Sequence, residues 1–161
     1  MRIFVISDTH VPERAKGLPE KFLSLLKPDD FIFHAGDFTT LDTLKKLEKK
    51  AKTIAVHGNM DDPEIKKSLP EKRVEVIAGK KIGLIHGFGG PLGIPKRVYQ
   101  EFNEKPDVIL FGHSHNPYHK KIDGTLLFNP GSLAGNLFSW KKSYGILKIE
   151  QDKIWGEIIY I

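Results

Sequence analysis

Several short polar clusters in this chain begin where an apolar run stops, and their residue types are those of metal ligands. Asp8-Thr9-His10 follows the run Ile3–Ile6, and His34-Ala35-Gly36-Asp37 closes the run that starts at Phe31. Gly58-Asn59-Met60-Asp61 follows residues 54–56, His86-Gly87 follows 82–85, and Gly112-His113-Ser114-His115 follows 108–111. Singly, each signal is weak, because an isolated Gly-Asp or Gly-Asn is ordinarily a turn. Together they offer four His (His10, His86, His113, His115), two Asp (Asp8, Asp37) and Asn59. Imidazole, carboxylate and carboxamide suit borderline divalent ions such as Mn, Fe, Zn, Ni or Co. One cation takes roughly four to six ligands, so seven donors point to a pair bridged by a carboxylate and a water, at the ~3.5–4 Å spacing of two-metal hydrolases.

Such clusters converge only if strands aim them at one edge, since ligands of open α/β sheets sit outside the carboxyl ends of the strands. The apolar runs Ile3–Ile6, Phe31–His34, 53–57, 81–85 and 108–111 read as strands buried on both faces. Residues 73–77 alternate polar and apolar and read as half exposed, while 125–128, Ser143–Glu150 and 154–160 complete a strand-rich last third. Helical stripes lie between the early strands: Leu18, Phe22, Leu25 and Leu26 after Pro19, then Leu41, Leu44 and Leu47, then Val98 and Phe102 after Pro95. Strand–helix alternation that ends in hairpins predicts an α/β architecture.

The chain has 161 residues, with 25 Lys+Arg against 20 Asp+Glu for a net charge of +5. That length predicts one domain over residues 1–161. With no Cys, a disulfide scaffold, a thiolate zinc site and a Cys nucleophile are excluded. No apolar run approaches the ~20 residues of a membrane span. Asp8 and His10 interrupt the first run too early for a secretory signal, which makes the cytoplasm the expected compartment. The lysines come as scattered doublets, a pattern of a solvated surface that can also draw in phosphate-bearing substrates.

Asp8-x-His10, Gly36-Asp37, Gly58-Asn59, His86 and Gly112-His113-x-His115, in this order, resemble the calcineurin-like metallophosphoesterase superfamily. The short length, the Gly-His-Ser-His and the following Asn129-Pro130-Gly131-Ser132 narrow the resemblance to its small bacterial and archaeal phosphodiesterases. The resemblance implies a four-layer α/β/β/α sandwich of two mixed sheets. It also implies two divalent metal ions per chain, Mn foremost, with Ni, Fe, Co or Zn as alternatives. Asp8, His10, Asp37 and His115 would hold the first, and Asp37, Asn59, His86 and His113 the second, with Asp37 bridging. The implied activity is hydrolysis of phosphodiesters, and also phosphomonoesters, by in-line attack of a metal-bridging hydroxide. The expected partner is a small phosphate-ester substrate, with no membrane, no dedicated nucleic acid, and a homodimer through exposed strand edges. Two other readings are a non-catalytic scaffold like the retromer subunit of this fold, and a small nuclease.

Thr40 and Met60 depart from the wider superfamily, which often has an acid at the first position and a His at the second. Methionine neither donates a proton nor binds phosphate, so good leaving groups such as aryl esters are the expected substrates. Asp61 remains without the His it would orient. His57, directly before Gly58-Asn59, is the candidate replacement donor and phosphate contact, beside the catalytic candidates Asp37 and Asn59. His34 is expected to pack behind the site and His119 to face solvent. The loop 87–93, with four glycines, reads as a flexible connection or as a lip whose Phe88 or Leu92 touches substrate. Asn129 is expected to buttress the ligand loops.

Overall fold

The doubly apolar runs lie in two stacked sheets, each covered on its outer side by helices. The computed structural model describes residues 2–135 and 141–161. Its first sheet carries three parallel strands, β1 (Ile3–Ile6), β2 (Phe31–His34) and β3 (Lys52–Ala55). The helices α1 (Glu20–Leu23) and α2 (Leu41–Glu48) connect them, and α3 (Pro63–Ser68) leads to the second sheet. That sheet holds β4 (Lys72–Ile77), β5 (Lys80–Ile85), β6 (Val108–Leu110), β7 (Tyr118–Ile122) and β8 (Thr125–Asn129), with α4 (Ile94–Gln100) between β5 and β6. The hairpin of β9 (Ser143–Glu150) and β10 (Lys153–Tyr160) returns to the first sheet. Strand orders are β10-β9-β1-β2-β3 and β4-β5-β6-β8-β7.

Alternation along each strand builds three cores. Ile3 and Val5 face inward with Phe33, Leu84, Leu110 and Phe128, filling the space between the sheets. Phe4, Ile6 and Ile32 face outward onto Phe22, Leu44, Leu47 and Ile65 of the first three helices. Ile85, Ile109 and Leu127 face Ile94 and Val98 of α4. The result is a four-layer α/β/β/α sandwich of two mixed sheets, as the resemblance implies.

The registers Ile6↔His34↔Ala55 and Leu84↔Leu110↔Phe128 align the carboxyl ends within each sheet. The polar clusters therefore meet from two sheets across the sandwich rather than along one parallel edge. The last third is not wholly antiparallel either, because β8 pairs parallel with β6. The first helix is a single turn, shorter than its apolar stripe suggests, since the chain leaves α1 at Ser24. Two elements carry no clear pattern in the sequence: α3, which buries only Ile65, and the lysine-bearing edge strand β7. No helix among the described residues is long and apolar enough to cross a membrane.

Phe128 locks the sheets together. A Cβ at Gly145 would stand 2.3 Å from its ring and one at Gly156 2.4 Å, so the two glycines form the notch that admits it. Phe128 is fully buried and precedes Asn129 at the site end of β8. Phe128→Ala should lower stability by about 3–5 kcal/mol in urea denaturation; a loss under about 1 kcal/mol would remove it from this role.

Candidate metal centre

The residues that leave the strand ends do so in an uncommon backbone conformation. Asp8 (φ 51°), His10 (φ 43°), Asp37 (φ 59°), His113 (φ 68°) and His115 (φ 56°) all lie in the left-handed region. Asp and His enter it more readily than most side chains, though at a cost. These turns aim the side chains back across the sandwich end, and all seven ligand candidates from the sequence come together there.

Two groups of donors overlap. Ligand atoms of Asp8, His10 and His115 lie within 4.8 Å of one another, as do those of Asp8, Asp37 and His86. Nε2 of His10 is 3.2 Å from Nε2 of His115, which is itself 3.2 Å from Asp8 Oδ1. Asp8 belongs to both groups, and Asp37 Oδ2 of the second also reaches toward the first, 3.3 Å from His86 Nε2 and 3.7 Å from His10 Nε2. Its Oδ1 accepts the Met60 N–H at 2.9 Å, so a single oxygen of Asp37 is free to face both groups. Asn59 Oδ1 lies 3.1 Å from both His86 Nε2 and His113 Nδ1.

The donor chemistry fits divalent cations. His86 Nδ1 faces Ala35 O at 2.7 Å, and His113 Nε2 faces Gly89 O at 2.9 Å. A carbonyl only accepts, so those nitrogens carry the protons and the opposite nitrogens of the neutral rings turn lone pairs toward Asn59 Oδ1. Acceptors aimed at one another need a cation or an added proton. Asp8 Oδ1 and His10 Nδ1 are also buried without a hydrogen-bond partner among the described residues. Without a metal, protonation serves as the substitute. Burial pushes the His86 imidazole down, but its hydrogen bond to Asp37 and the charges of Asp8 and Asp37 raise it to about 9. Burial would raise the carboxyl of Asp8, yet the His115 imidazole beside it and the charge of His86 hold it well below the usual range.

Neighbouring groups hold these turns in place. The Asp61 carboxylate accepts the N–H groups of Asp37 (3.0 Å), Thr39 (2.8 Å) and Gly58 (2.7 Å). The sequence marks Asp61 only as an orphan of the missing His, whereas its work is to brace two ligand loops. Gly58 is required there, because a Cβ would stand 2.1 Å from Asp37 Oδ1. Ser7 Oγ lies 2.7 Å from Asp8 Oδ2, and Ser132 Oγ donates to Asp8 O at 2.8 Å. Asn129 Nδ2 donates to Gly112 O at 2.8 Å, the bracing expected of it.

His34 is fully buried, stacked 3.6 Å from the Phe38 ring, with Nδ1 accepting the Gly36 N–H and Nε2 near Thr9 Oγ1. Burial pushes its imidazole down to about 3, so it stays neutral behind the site as expected. His119 is exposed on β7. His57 and Phe88 line a cavity of about 170 Å³ together with Asn59 and His86. Lys66 and Glu71 join them, two residues without a recognisable motif; Lys66 Nζ donates to Asn59 O at 2.8 Å. Leu92, 87% exposed, is absent from that lining. Segment 87–93 is no loose connection, because Arg97 of α4 hydrogen-bonds three of its carbonyls.

Asp61→Asn turns one acceptor into a donor facing backbone N–H groups. It should cost about 1–3 kcal/mol in urea denaturation and weaken metal uptake; wild-type values for both would refute the bracing role. For His34, the folded imidazole stays neutral down to about pH 3, while the unfolded one takes up a proton near pH 6.5. Its contribution is thus full above pH 6.5 and lost as pH falls toward 3. In chelator, the stability difference between wild type and His34→Asn should shrink by about 1.5 kcal/mol from pH 6.5 to 5. Parallel pH curves would contradict this.

Known proteins share both the sequence pattern and the fold. Residues 1–152 match the calcineurin-like phosphoesterase superfamily domain. A probable metallophosphoesterase of Methanothermobacter thermautotrophicus is 36% identical over 160 residues, covering 99% of this chain and 92% of that protein. The structure of Entamoeba histolytica Vps29 complexed with Zn2+ superposes with a TM-score of 0.77 at 26% identity, over 99% of each chain. A novel archaeal phosphodiesterase superposes with a TM-score of 0.71 at 25% identity, over 99% of this chain and 100% of that one. By full-length sequence match and by fold, the chain belongs to the calcineurin-like phosphoesterase superfamily.

Proposed function

We propose that the chain is a dinuclear metal-dependent phosphodiesterase acting on small phosphate esters, with phosphomonoesters as secondary substrates. The observation that carries this reading is the pair of donor groups that share Asp8, with one oxygen of Asp37 facing both His86 and His10. Asp8, His10, His115 and Asp37 would hold one cation; Asp37, Asn59, His86 and His113 the other. Mn(II) is the proposed occupant, and the Zn2+ complex of the Entamoeba protein supports a divalent ion at a site of this fold. Bound there, divalent cations supply Lewis-acid charge to phosphoryl oxygens and lower the pKa of water.

The side chains do the rest. Asn59, whose Oδ1 lies 3.1 Å from both His86 Nε2 and His113 Nδ1, orients the phosphoryl group beside the cavity. His57 is half-buried in the cavity wall, and in this reading it gives a proton to the departing alkoxide in place of the absent His at position 60. Phe88 packs the apolar part of the ester, and Lys66 brings positive charge to the same wall. The archaeal phosphodiesterase among the structural relatives favours diesters as the main substrate class. A scaffold of the same fold would need no such set of convergent donors. A nuclease would show steep salt dependence.

The test pairs metal content of the purified protein with hydrolysis of an aryl phosphodiester before and after chelation. Two metals per chain, with activity lost on chelation and restored by Mn(II), is the expected result. No metal retained and no turnover with any divalent ion would overturn the enzyme reading in favour of a scaffold. With metal loading intact, His57→Ala should slow an alkyl ester about 100-fold and an aryl ester far less. Equal rates for wild type and variant on both esters would remove His57 from the chemistry.

A further inference from the structure

We infer that Arg97, on the outer helix α4, is a positioning residue that sets the orientation of the His113 ring through segment 87–93. The guanidinium Nε donates to Phe88 O at 2.9 Å and Nη1 to Leu92 O at 2.7 Å, while Nη2 donates to Gly90 O. Its carbon also lies 5.9 Å from the centre of the Phe88 ring. Three carbonyls of one glycine-rich segment thus converge on one planar fork, a geometry that a lysine ammonium does not reproduce.

The carbonyl of Gly89 sits inside this clasp, and it faces His113 Nε2 at 2.9 Å. That contact calls for a proton on Nε2, while Nδ1 faces Asn59 Oδ1 at 3.1 Å. Gly89 has φ 80° and Gly93 has φ 80°, so the segment holds a shape that glycine permits but does not enforce. Enforcement comes from Arg97. Without it, the segment gains backbone freedom and the Gly89 carbonyl no longer holds the His113 ring in place. The parallel contact at His86 uses Ala35, a residue buried beside β2, and needs no such clasp.

The effect on metal affinity rests on the proposed role of His113 as a ligand, whereas the effect on ring orientation does not. Two measurements separate them. Long-range proton–nitrogen correlation spectra of the metal-free protein at neutral pH should show a proton on His113 Nε2. Arg97→Ala and Arg97→Lys should both move the His113 ring-nitrogen signals, and Lys96→Ala, one exposed position away, should not. Calorimetric titration of the chelated protein with Mn(II) should then show one of two binding steps weakened 10–100-fold in both Arg97 variants, with the other step unchanged. An unchanged His113 signature together with wild-type Mn(II) binding would overturn the inference and leave Arg97 a surface tie. If wild type takes up no Mn(II), the dinuclear reading fails, and the spectra still decide whether Arg97 positions His113.

Discussion

Left-handed backbone at the ends of strands is the constraint on which the rest of this structure depends. Asp8, His10, Asp37, His113 and His115 all adopt it, and non-glycine residues do so only where their surroundings over-determine the conformation. The surroundings here are specific. Asp61 gathers three N–H groups from two loops, Ser132 ties the Asp8 carbonyl, and Asn129 ties the Gly112 carbonyl. Asp61 works among the loops of the first sheet and Asn129 within the second, while the Ser132–Asp8 tie joins the two, with Phe128 as the bolt between layers.

A second tension is electrostatic. Asp8 and Asp37 are nearly inaccessible to water, and like-charged carboxylates at such depth are unfavourable without positive charge between them. Imidazoles supply it in the metal-free chain, most plainly His86, whose raised basicity comes from facing both carboxylates. A divalent cation satisfies the same carboxylates and releases that proton, which couples metal affinity to pH. The back nitrogens differ in their support. His86 and His113 each rest on a backbone carbonyl, whereas His10 Nδ1 has no hydrogen-bond partner among the described residues and its ring meets His115 through Nε2.

The ligand residues and the strands beneath them were legible in the sequence because both carry local signals. Ile3–Ile6 is apolar on both faces because each face meets a different core, and Asp8-x-His10 follows at once. The short runs ending at Ile85 and Leu110 were readable for the same reason. What stayed hidden acts at long range. Helix α3 buries a single residue, so no periodicity announces it, and β7 is an edge strand whose lysines look like loop. The bracing by Asp61 depends on Asp37 and Gly58 meeting across two loops, which no spacing reveals. Arg97 reads as one more surface cation until the carbonyls of segment 87–93 are seen to converge on it.

These two tensions also weigh on the choice between enzyme and scaffold. Strained turns and buried carboxylates each lower the stability of the fold, and a protein that only presents surfaces gains nothing from either. Replacing a buried ionic set by apolar residues of similar size is often neutral or stabilising. Retaining it together with its outer braces makes physical sense where cations occupy the set, and the proposed function adds a substrate that reaches them. The cavity beside Asn59 supplies that access, since it opens at the one candidate ligand of the set that is exposed. A scaffold descended from such a protein would keep Asp61, the Arg97 clasp and the glycine at position 58 only for what they add to stability, whereas metal ligation also needs the turns they hold. All three stand here.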